Sequence, residues 1–478
     1  MRNGLALMAA LCLISGCADM SGLSPSATPR EAGSLASTRS LSQAALSPVE
    51  WPRTDWWKQF GDPQLDQLVG EALAGSPSLR VADARVRKAV AVAQASNAAL
   101  YPHLNGNASV TRQRFPEHGL FPPPIAGSTR TQPQLQAALD YEFDFWGKNR
   151  AAYESALGQA RAAEVDAFAA RLALSVSIAQ AYVQLERSYF QLDVAEKSLA
   201  QRQRFHALTV ERFNNGFDTR IAVKQAEGAL PAAREQITAL KENIGLVRNQ
   251  IAALLGQGPD RGLAITRPST MALPATALPG DVPSGLLGRR PDLVAQRWRI
   301  EAAHKEIDAS RARFYPNINL TAFIGFQSLG LPGFLSLANR TVGAGSALSL
   351  PIFDAGRLRA GLEGADADYD AAVEQYNQAI ADALREVVDQ LTSMSSIEEQ
   401  RRQQALAQAS SKEAYDLALL RFREGLGNYL DVITADTQLL AQQSLDVDLR
   451  ARELGASINL VRALGGGLDG QFRTGGTQ

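Results

Sequence analysis

The sequence predicts an α+β membrane protein in which a few strands and several very long helices occur twice in one chain. Three observations predict this fold: an internal repeat of about 210 residues, strand segments of about ten residues with strict alternation, and unusually long helical runs. Four predicted strands are too few to close a barrel, so several copies must share one, and three copies give twelve strands. We therefore expect a shared β-barrel, of twelve strands if three copies form a trimer, continuous with a long α-helical coiled-coil barrel.

The first residues are predicted to direct export and lipid attachment. Residues 1–16 combine a basic start, an apolar stretch and small residues, which is typical of a signal peptide. Residues 14–17 resemble the bacterial lipobox, which implies that Cys17 carries diacylglycerol and an N-acyl lipid. Ala18 replaces the aspartate that resembles an inner-membrane retention signal, which favours the outer membrane. Residues 17–50 then form a flexible lipidated tether, unless the signal peptide is an ordinary one and the cysteine is incidental.

Composition and charge exclude several classes of protein. The 48 Lys and Arg residues are balanced by 49 Asp and Glu, so the basic excess of a nucleic-acid-binding protein is missing. With 4 His and 2 Cys, neither a metal site nor a disulfide framework is expected. The sequence has no phosphate-binding loop and no nucleophile elbow. We therefore expect no enzyme activity and no cofactor beyond the lipid on Cys17.

The internal repeat divides the mature chain into two equivalent halves. Tyr101-Pro102 returns as Tyr315-Pro316, and the Arg-Phe pair that precedes Gly216 returns before Gly425. The predicted segments are a first repeat with its N-terminal segment at 51–266, a connector at 267–288, a second repeat at 289–465 and a flexible tail at 466–478. The connector is rich in Pro and Gly and is expected to interrupt helical structure. So long a period indicates one pseudo-symmetric architecture, because solenoid units are shorter.

Two segments in each repeat alternate strictly between apolar and polar side chains. Strands are predicted at about 104–113 and 134–146 in the first repeat, and at about 318–328 and 341–353 in the second. Asp140, Glu142 and Asp144 share a polar face, which in a transmembrane barrel lines the wet lumen. In a soluble sandwich, the alternative, this charge only keeps the face wet. The export and lipid signals favour the barrel.

A very long helical run follows each pair of strands. Residues 148–213 contain no Pro and a single Gly, and their apolar positions step by threes and fours as in a coiled coil. Gly216 and Gly425 are each followed by another helical run, so each is predicted to mark the tip of a helical hairpin. Two hairpins per chain in three copies make a closed tube. A single soluble coiled coil explains the heptad seam, but not the strands or the duplication.

Four motifs occur at the junctions of these predicted elements. They are WWKQFGDPQL from Trp56, DYEFDFWGK from Asp140, LGRRPDL from Leu287 and NYLDV from Asn428. Together they resemble motifs of the trimeric outer-membrane factors of tripartite efflux and export systems, the TolC-like proteins and especially their NodT-type lipoproteins. The resemblance implies a homotrimeric duct in outer-membrane lipid that crosses the periplasm. It also implies a periplasmic membrane-fusion adaptor and an inner-membrane pump, most often of the resistance-nodulation-division type.

The resemblance further implies a gate where the hairpin tips close the duct. Asp431 occupies the position of an acidic ring at the closed aperture, whereas Thr434 replaces a second aspartate of the family. The implied gate residues are Asp431, Leu430, Thr434, Gly216 and Gly425. Candidates for tip salt bridges or adaptor contacts are Arg212, Asp218, Arg220, Arg421 and Arg423. Exposed charges at such tips are also often merely solvated.

These observations predict a passive, gated exit duct for small toxic compounds, driven by the pump. Within transport, the alternative is a protein-export duct of type I secretion. Outside transport, the alternative is a lipid-anchored periplasmic coiled-coil scaffold that has no pore.

Overall fold

A computed structural model of the chain describes residues 20–36, 38–41, 51–274, 279 and 282–468. Cys17, the signal segment 1–16 and most of the tail 466–478 lie outside the described residues. The chain forms two compact units. The strand unit comprises Met1–Pro29, Val86–Ala163 and Gln296–Tyr376, and the helical unit comprises Arg30–Arg85, Glu164–Ala295 and Asn377–Gln478. Among the helices of the described residues, none is long and apolar enough to span a membrane.

The strand unit contains one antiparallel sheet with the order β1-β2-β3-β4. Its strands are β1 (His103–Arg114), β2 (Thr129–Phe143), β3 (Asn317–Gln327) and β4 (Arg340–Ser349). Leu139 lies opposite Leu104 on β1 and Ala322 on β3, whereas Asp140 lies opposite His103 and Thr321. This register collects apolar side chains on one face and polar side chains on the other, as the alternation predicts. β1 and β4 are edge strands, each with one row of unpaired peptide groups.

Two strands end earlier than the alternation predicts. β2 stops before Asp144, because the Asp144 carboxylate accepts the backbone N–H groups of Asn149 (3.1 Å) and Arg150 (2.8 Å) at the start of a helix. β4 stops at Ser349, because Pro351 has no N–H group to donate to a ladder. The last residues of both predicted strands therefore belong to the strand-to-helix turns.

Three pairs of helices match in length between the two repeats, and a fourth pair does not. Their bounds are α1 Pro63–Gly75, α2 Pro77–Ala98, α3 Lys148–Asn214, α4 Arg220–Leu254, α5 Val282–Arg289, α6 Pro291–Ala312, α7 Arg357–Arg423 and α8 Tyr429–Ala463. Short helical turns lie at Ala32–Ser34, Thr38–Leu41, Trp56–Phe60, Asp260–Leu263 and Leu337–Asn339. α3 and α7 each contain 67 residues, and α4 and α8 each contain 35, whereas α1 and α5 contain 13 and 8. The duplication therefore extends to whole elements.

The connector differs from its prediction, because α5 occupies its last part. A proline is tolerated in the first turn of a helix, where its missing N–H group has no helical partner, and Pro283 stands there. Helical structure therefore begins within the predicted connector, at Val282.

The WWKQFGDPQL motif folds into the core of the helical unit. Trp56, Trp57 and Phe60 are buried, and the Asp62 carboxylate caps α1 by accepting the Gln64 N–H (2.8 Å). The same carboxylate accepts the hydroxyl of the fully buried Tyr182 on α3 (2.7 Å). The motif thereby fixes the start of α1 against a long helix.

The described start of the chain is bound to α7 within the strand unit. The backbone N–H groups of Ser26 (2.9 Å) and Ala27 (2.8 Å) donate to the Asp370 carboxylate, and the Ser26 hydroxyl donates to it as well (2.7 Å). Met20 and Leu23 pack on the apolar cluster of Ile307, Phe314, Leu358, Leu362 and Ala365. This stretch differs from the predicted flexible tether, because its polar and apolar groups both have partners.

Candidate functional site

The first hairpin tip, residues 212–222, turns through a Schellman motif. The Phe217 N–H donates to the Arg212 carbonyl (2.9 Å), and Gly216 adopts a left-handed φ of 78°. A residue with a Cβ is strained in this conformation, which explains why glycine ends α3. Gly216 therefore has a local structural role at the tip.

The second hairpin tip, residues 421–431, repeats this turn. The Leu426 N–H donates to the Arg421 carbonyl (2.8 Å), and Gly425 also has a φ of 78°. Its equivalence to Gly216 follows from the repeat alone, so the turns were predictable from the sequence. Any role of the two glycines in a gate remains a prediction.

Asp431 closes a capping box at the start of α8. Its N–H donates to the Asn428 side chain (3.0 Å), and its carboxylate accepts the Asn428 N–H (3.4 Å). At the first tip, Thr219 caps α4 by accepting the Ala222 N–H (3.2 Å), and Ala222 carries no charge. Asp431 thus stabilises its own helix while its side chain remains exposed.

Leu430 and Thr434 lie beside Asp431 on the exposed side of α8. Leu430 is 64% exposed, and the Thr434 hydroxyl donates to its carbonyl (2.8 Å). At the equivalent position of the first tip, Ile221 is 70% exposed. The repeat could have revealed this matched apolar pair, which we did not identify from the sequence.

Arg212 connects the two tips inside the helical unit. Its Nη1 donates to the Phe422 carbonyl (2.7 Å), and its guanidinium carbon lies 4.4 Å from the centroid of the Phe422 ring. Its Nε lies 3.6 Å from the Asp218 carboxylate, and both side chains are largely buried. One guanidinium therefore neutralises a carboxylate of its own tip and holds the backbone of the other.

The remaining arginines of the tips have looser surroundings. Arg421 is the repeat equivalent of Arg212, yet it is exposed, and its Nη2 donates to the Leu426 carbonyl at 3.3 Å. Gly427 occupies the position equivalent to Asp218, so no carboxylate stands there. Arg220 and Arg423 are exposed. Among the predicted tip charges, the structure brings together Arg212 and Asp218.

A buried ion pair lies next to the tips and was missed by sequence reasoning. Arg202 on α3 and Asp436 on α8 approach to 3.4 Å beside the stacked rings of Phe205 and Tyr429. Burial raises the pKa of the Asp436 carboxyl, and the Arg202 guanidinium acts in the opposite direction. The sequence signal that could have revealed this pair is Asp436 itself, an acidic residue on the otherwise apolar stripe of α8.

The three acidic residues predicted to line a lumen have different partners. Glu142 forms an ion pair with Lys148, and Asp144 caps α3. Asp140 lies in the middle of the polar face, 3.5 Å from the Asn105 amide. Glu142 and Asp144 therefore have local structural roles, and a place in a lumen remains a prediction for all three.

Aromatic side chains surround the ends of the sheet that lead into the helices. Trp146 stacks on Tyr315 with 4.6 Å between ring centroids and donates its indole N–H to the Pro316 carbonyl (2.9 Å). Phe145, shortly after the end of β2, and Phe353, shortly after the end of β4, are both exposed. Exposed aromatic rings at strand ends are typical of a membrane–water interface.

Metal binding has no support in the part of the chain that the structure describes. No three of its His, Cys, Asp or Glu side chains are arranged to hold an ion.

Comparisons with known proteins agree with this arrangement. The family model of outer membrane efflux proteins matches residues 68–257 and 282–466. The fusaric acid resistance protein FusA of Burkholderia cepacia is 40% identical over 366 residues, which are 76% of this chain and 69% of that protein. The multidrug resistance outer membrane protein MdtP of Escherichia coli K12 is 31% identical over 432 residues, which are 88% of each chain.

Solved structures show the same fold. The outer membrane protein VceC of Vibrio cholerae has a TM-score of 0.83 and 36% identity, covering 88% of this chain and 100% of that chain. The outer-membrane channel OprN has a TM-score of 0.82 and 27% identity, covering 94% and 98%.

Proposed function

Because the chain belongs to the outer membrane efflux protein family, we propose that it is the exit duct of a tripartite efflux system for small toxic compounds. The protein resides in the bacterial outer membrane, is not an enzyme and has the fold of trimeric outer-membrane channels. Relatives are named for resistance to fusaric acid and to multiple drugs, which supports small compounds over exported proteins as cargo.

The open sheet is the observation that carries this proposal. β1 and β4 leave one row of N–H and C=O groups unpaired, and lipid offers these groups no partner. Pairing β4 of one copy with β1 of the next satisfies both rows, and three copies make a closed barrel of twelve strands. The polar face then surrounds an aqueous path, to which Asp140 contributes charge. A scaffold without a pore gives no reason for such a sheet.

We further propose that the hairpin tips form the gate of this duct. Leu430, Asp431 and Thr434 present an exposed surface at the start of α8, and three copies of Asp431 around a narrow axis repel one another and attract cations. Apolar Leu430 and Ile221 supply contacts that favour closure. Opening then requires the second tip to move, while the turns at Gly216 and Gly425 keep the helix ends intact.

Energy for transport has to come from partners, because a duct performs no covalent chemistry. We propose a periplasmic membrane-fusion adaptor that contacts the exposed Arg220, Arg421 and Arg423, and an inner-membrane pump of the resistance-nodulation-division type. Exposed guanidinium groups fit carboxylates on such an adaptor, because they form paired hydrogen bonds. The alternative role of these arginines is solvation alone.

We also propose that Cys17 carries a lipid anchor, and the start of the described chain supports this proposal. Met20 packs on the cluster near the start of α7, which follows β4 and the exposed Phe353. Three residues along the chain lead from Cys17 to Met20, and a chain of that length extends at most about 10 Å. Acyl chains on Cys17 therefore lie within reach of the membrane interface that the aromatic residues indicate.

Recording from the purified full-length protein in planar bilayers tests the proposed duct. We expect trimers by native mass and a small cation-selective conductance, because the tips close the resting duct. A protein that inserts in the bilayer and never conducts, even with Asp431 replaced by Ala, would establish the scaffold alternative.

Radioactive palmitate tests the proposed lipid anchor. We expect Cys17→Ser to abolish labelling of the protein, and continued labelling of this variant would contradict the anchor at Cys17.

A further inference from the structure

Two loops lie at the edge of the sheet opposite the helices. Residues 115–128 connect β1 to β2, and residues 328–339, here called the leucine loop, connect β3 to β4. The leucine loop contains no charged residue. Its exposed leucines are Leu329 (41%), Leu331 (61%), Leu335 (62%) and Leu337 (81%). Loops that face water rarely carry such an uninterrupted apolar surface.

The backbone of the leucine loop accepts and donates several hydrogen bonds within the loop. The Asn339 amide donates to the Gly333 carbonyl (2.9 Å) and to the Ser336 hydroxyl (3.2 Å). The Ser328 hydroxyl donates to the Gly330 carbonyl (2.6 Å), and the Ser336 N–H donates to that of Gly333 (2.9 Å). These bonds pair polar groups of the loop with one another, while the leucine side chains remain exposed. The apolar surface is therefore built into a defined loop.

The lengths of the strands argue against acyl chains as the cover of these leucines. β3 contains 11 residues and β4 contains 10, and tilted strands of about 9–11 residues already cross the hydrocarbon layer. Trp146 and Tyr315 mark one boundary of that layer at the helix side. The leucine loop begins where the strands end on the other side, so it lies beyond the layer.

The open edge of the sheet indicates what covers the leucines instead. In the trimer that the proposed function requires, β4 of one copy pairs with β1 of the next. The leucine loop ends immediately before β4, and the 115–128 loop begins immediately after β1, so these two loops of adjacent copies are neighbours. The 115–128 loop has an apolar surface of its own, with Leu120 98% and Phe121 46% exposed.

We propose that the leucine loop of each copy packs on the 115–128 loop of the next copy, and that the six loops form an apolar collar at the outer mouth of the duct. This inference rests on the proposed function, since the collar requires the trimer. An apolar ring resists wetting and therefore opposes hydrated ions more than apolar or amphipathic compounds. The collar is a second constriction, separate from the tips, and favours the export of apolar compounds.

Cysteine cross-linking in outer membranes tests the contact between copies. The full-length variant Leu335→Cys/Leu120→Cys, treated with copper phenanthroline, is expected to give disulfide-linked dimers and trimers on a non-reducing gel. The matched control Leu348→Cys/Leu120→Cys replaces a residue of the apolar face of β4, near its helix-side end, and is expected to remain uncross-linked. Native mass in detergent is measured for each variant. A trimer that fails to cross-link overturns the collar alone, whereas a protein that is monomeric overturns the proposed duct as well.

Conductance tests the constriction. In a background that carries Asp431→Ala, so that the tips do not mask the outer end, Leu331→Ser/Leu335→Ser/Leu337→Ser is expected to raise potassium conductance several-fold. The matched variant with Met at the same three positions keeps the surface apolar and is expected to leave conductance unchanged. Equal conductance of the serine variant and its background, in protein that remains trimeric, overturns the constriction. Reduced membrane insertion of the serine variant with unchanged conductance also overturns the constriction. It would show that lipid covers the leucine side chains.

Discussion

The two hairpin tips share one backbone turn and differ in their charges. Both end a 67-residue helix on a left-handed glycine with the same hydrogen-bond pattern. The first tip holds a largely buried Arg212–Asp218 pair, whereas the second tip exposes its equivalent arginine and carries the charge of Asp431 at the start of α8. Duplication has therefore kept the turn and allowed the charges to diverge. The first tip is anchored by its largely buried ion pair, and the second tip carries its charges at the surface.

The largest difference between the tips is expected from removing their equivalent arginines. Arg212→Ala leaves Asp218 without its ion-pair partner and removes the bond between the tips at the Phe422 carbonyl, which keeps the Gly425 N–H as a donor (3.2 Å), so it should lower the stability of the tips by about 3 kcal/mol. Arg421→Ala should cost less than about 1 kcal/mol, because that side chain is exposed. Hydrogen exchange of the tip amides measures both losses. Equal losses would show that the tips are held alike.

A second prediction separates the charge of Asp431 from its capping bond. Asp431→Asn keeps an acceptor for the Asn428 N–H but removes the charge, whereas Asp431→Ala removes both and should cost a further ~1 kcal/mol at the start of α8. If the acidic ring sets the gate, both variants should lose cation selectivity in bilayers, and the Ala variant should also leak more. Glu398→Gln, an exposed acid in the middle of α7, is the control. Selectivity retained in both variants would assign Asp431 to capping alone.

A smaller effect is expected from pH at the buried Asp436. Burial raises the pKa of its carboxyl above the ordinary 3.8, so the folded chain binds this proton more tightly than the unfolded chain does. The resulting stabilisation is complete below about pH 3.8 and is lost as pH rises through the folded pKa. Local exchange near Tyr429 should therefore become faster as pH rises through this window, after correction for intrinsic exchange. Asp436→Asn should remove that dependence, and an unchanged profile would exclude Asp436 as its source.

The sequence predicts the faces of the sheet and the tip turns for physical reasons. A period of two places Leu139 and Asp140 on opposite faces of any strand, and glycine is favoured wherever a helix ends in a left-handed residue. The duplication then doubles each signal. These features depend on neighbours in the chain, so a single sequence contains them.

Other features depend on residues far apart in the chain and could not be predicted from local patterns. Arg212 contacts Phe422 across 210 positions, and the Ser26 backbone donates to Asp370 across 344. A segment rich in Ser, Thr and Pro indicates flexibility by composition, yet residues 20–27 bind the Asp370 carboxylate and pack on the cluster near the start of α7. The end of β2 was also predicted wrongly. Asp144 continues the polar alternation of the strand, but its carboxylate caps α3.

The equal lengths of the paired helices have a consequence for how this chain can evolve. Deleting one residue from α3 alone would shift the first tip by about 1.5 Å and rotate it by about 100° relative to its partner, because each helical residue contributes that rise and turn. Arg212 would then no longer reach the Phe422 carbonyl, 2.7 Å away in the present structure. Insertions and deletions in these helices are therefore expected to survive only when both repeats acquire them together. Homologous chains should differ in helix length by matched changes in both repeats.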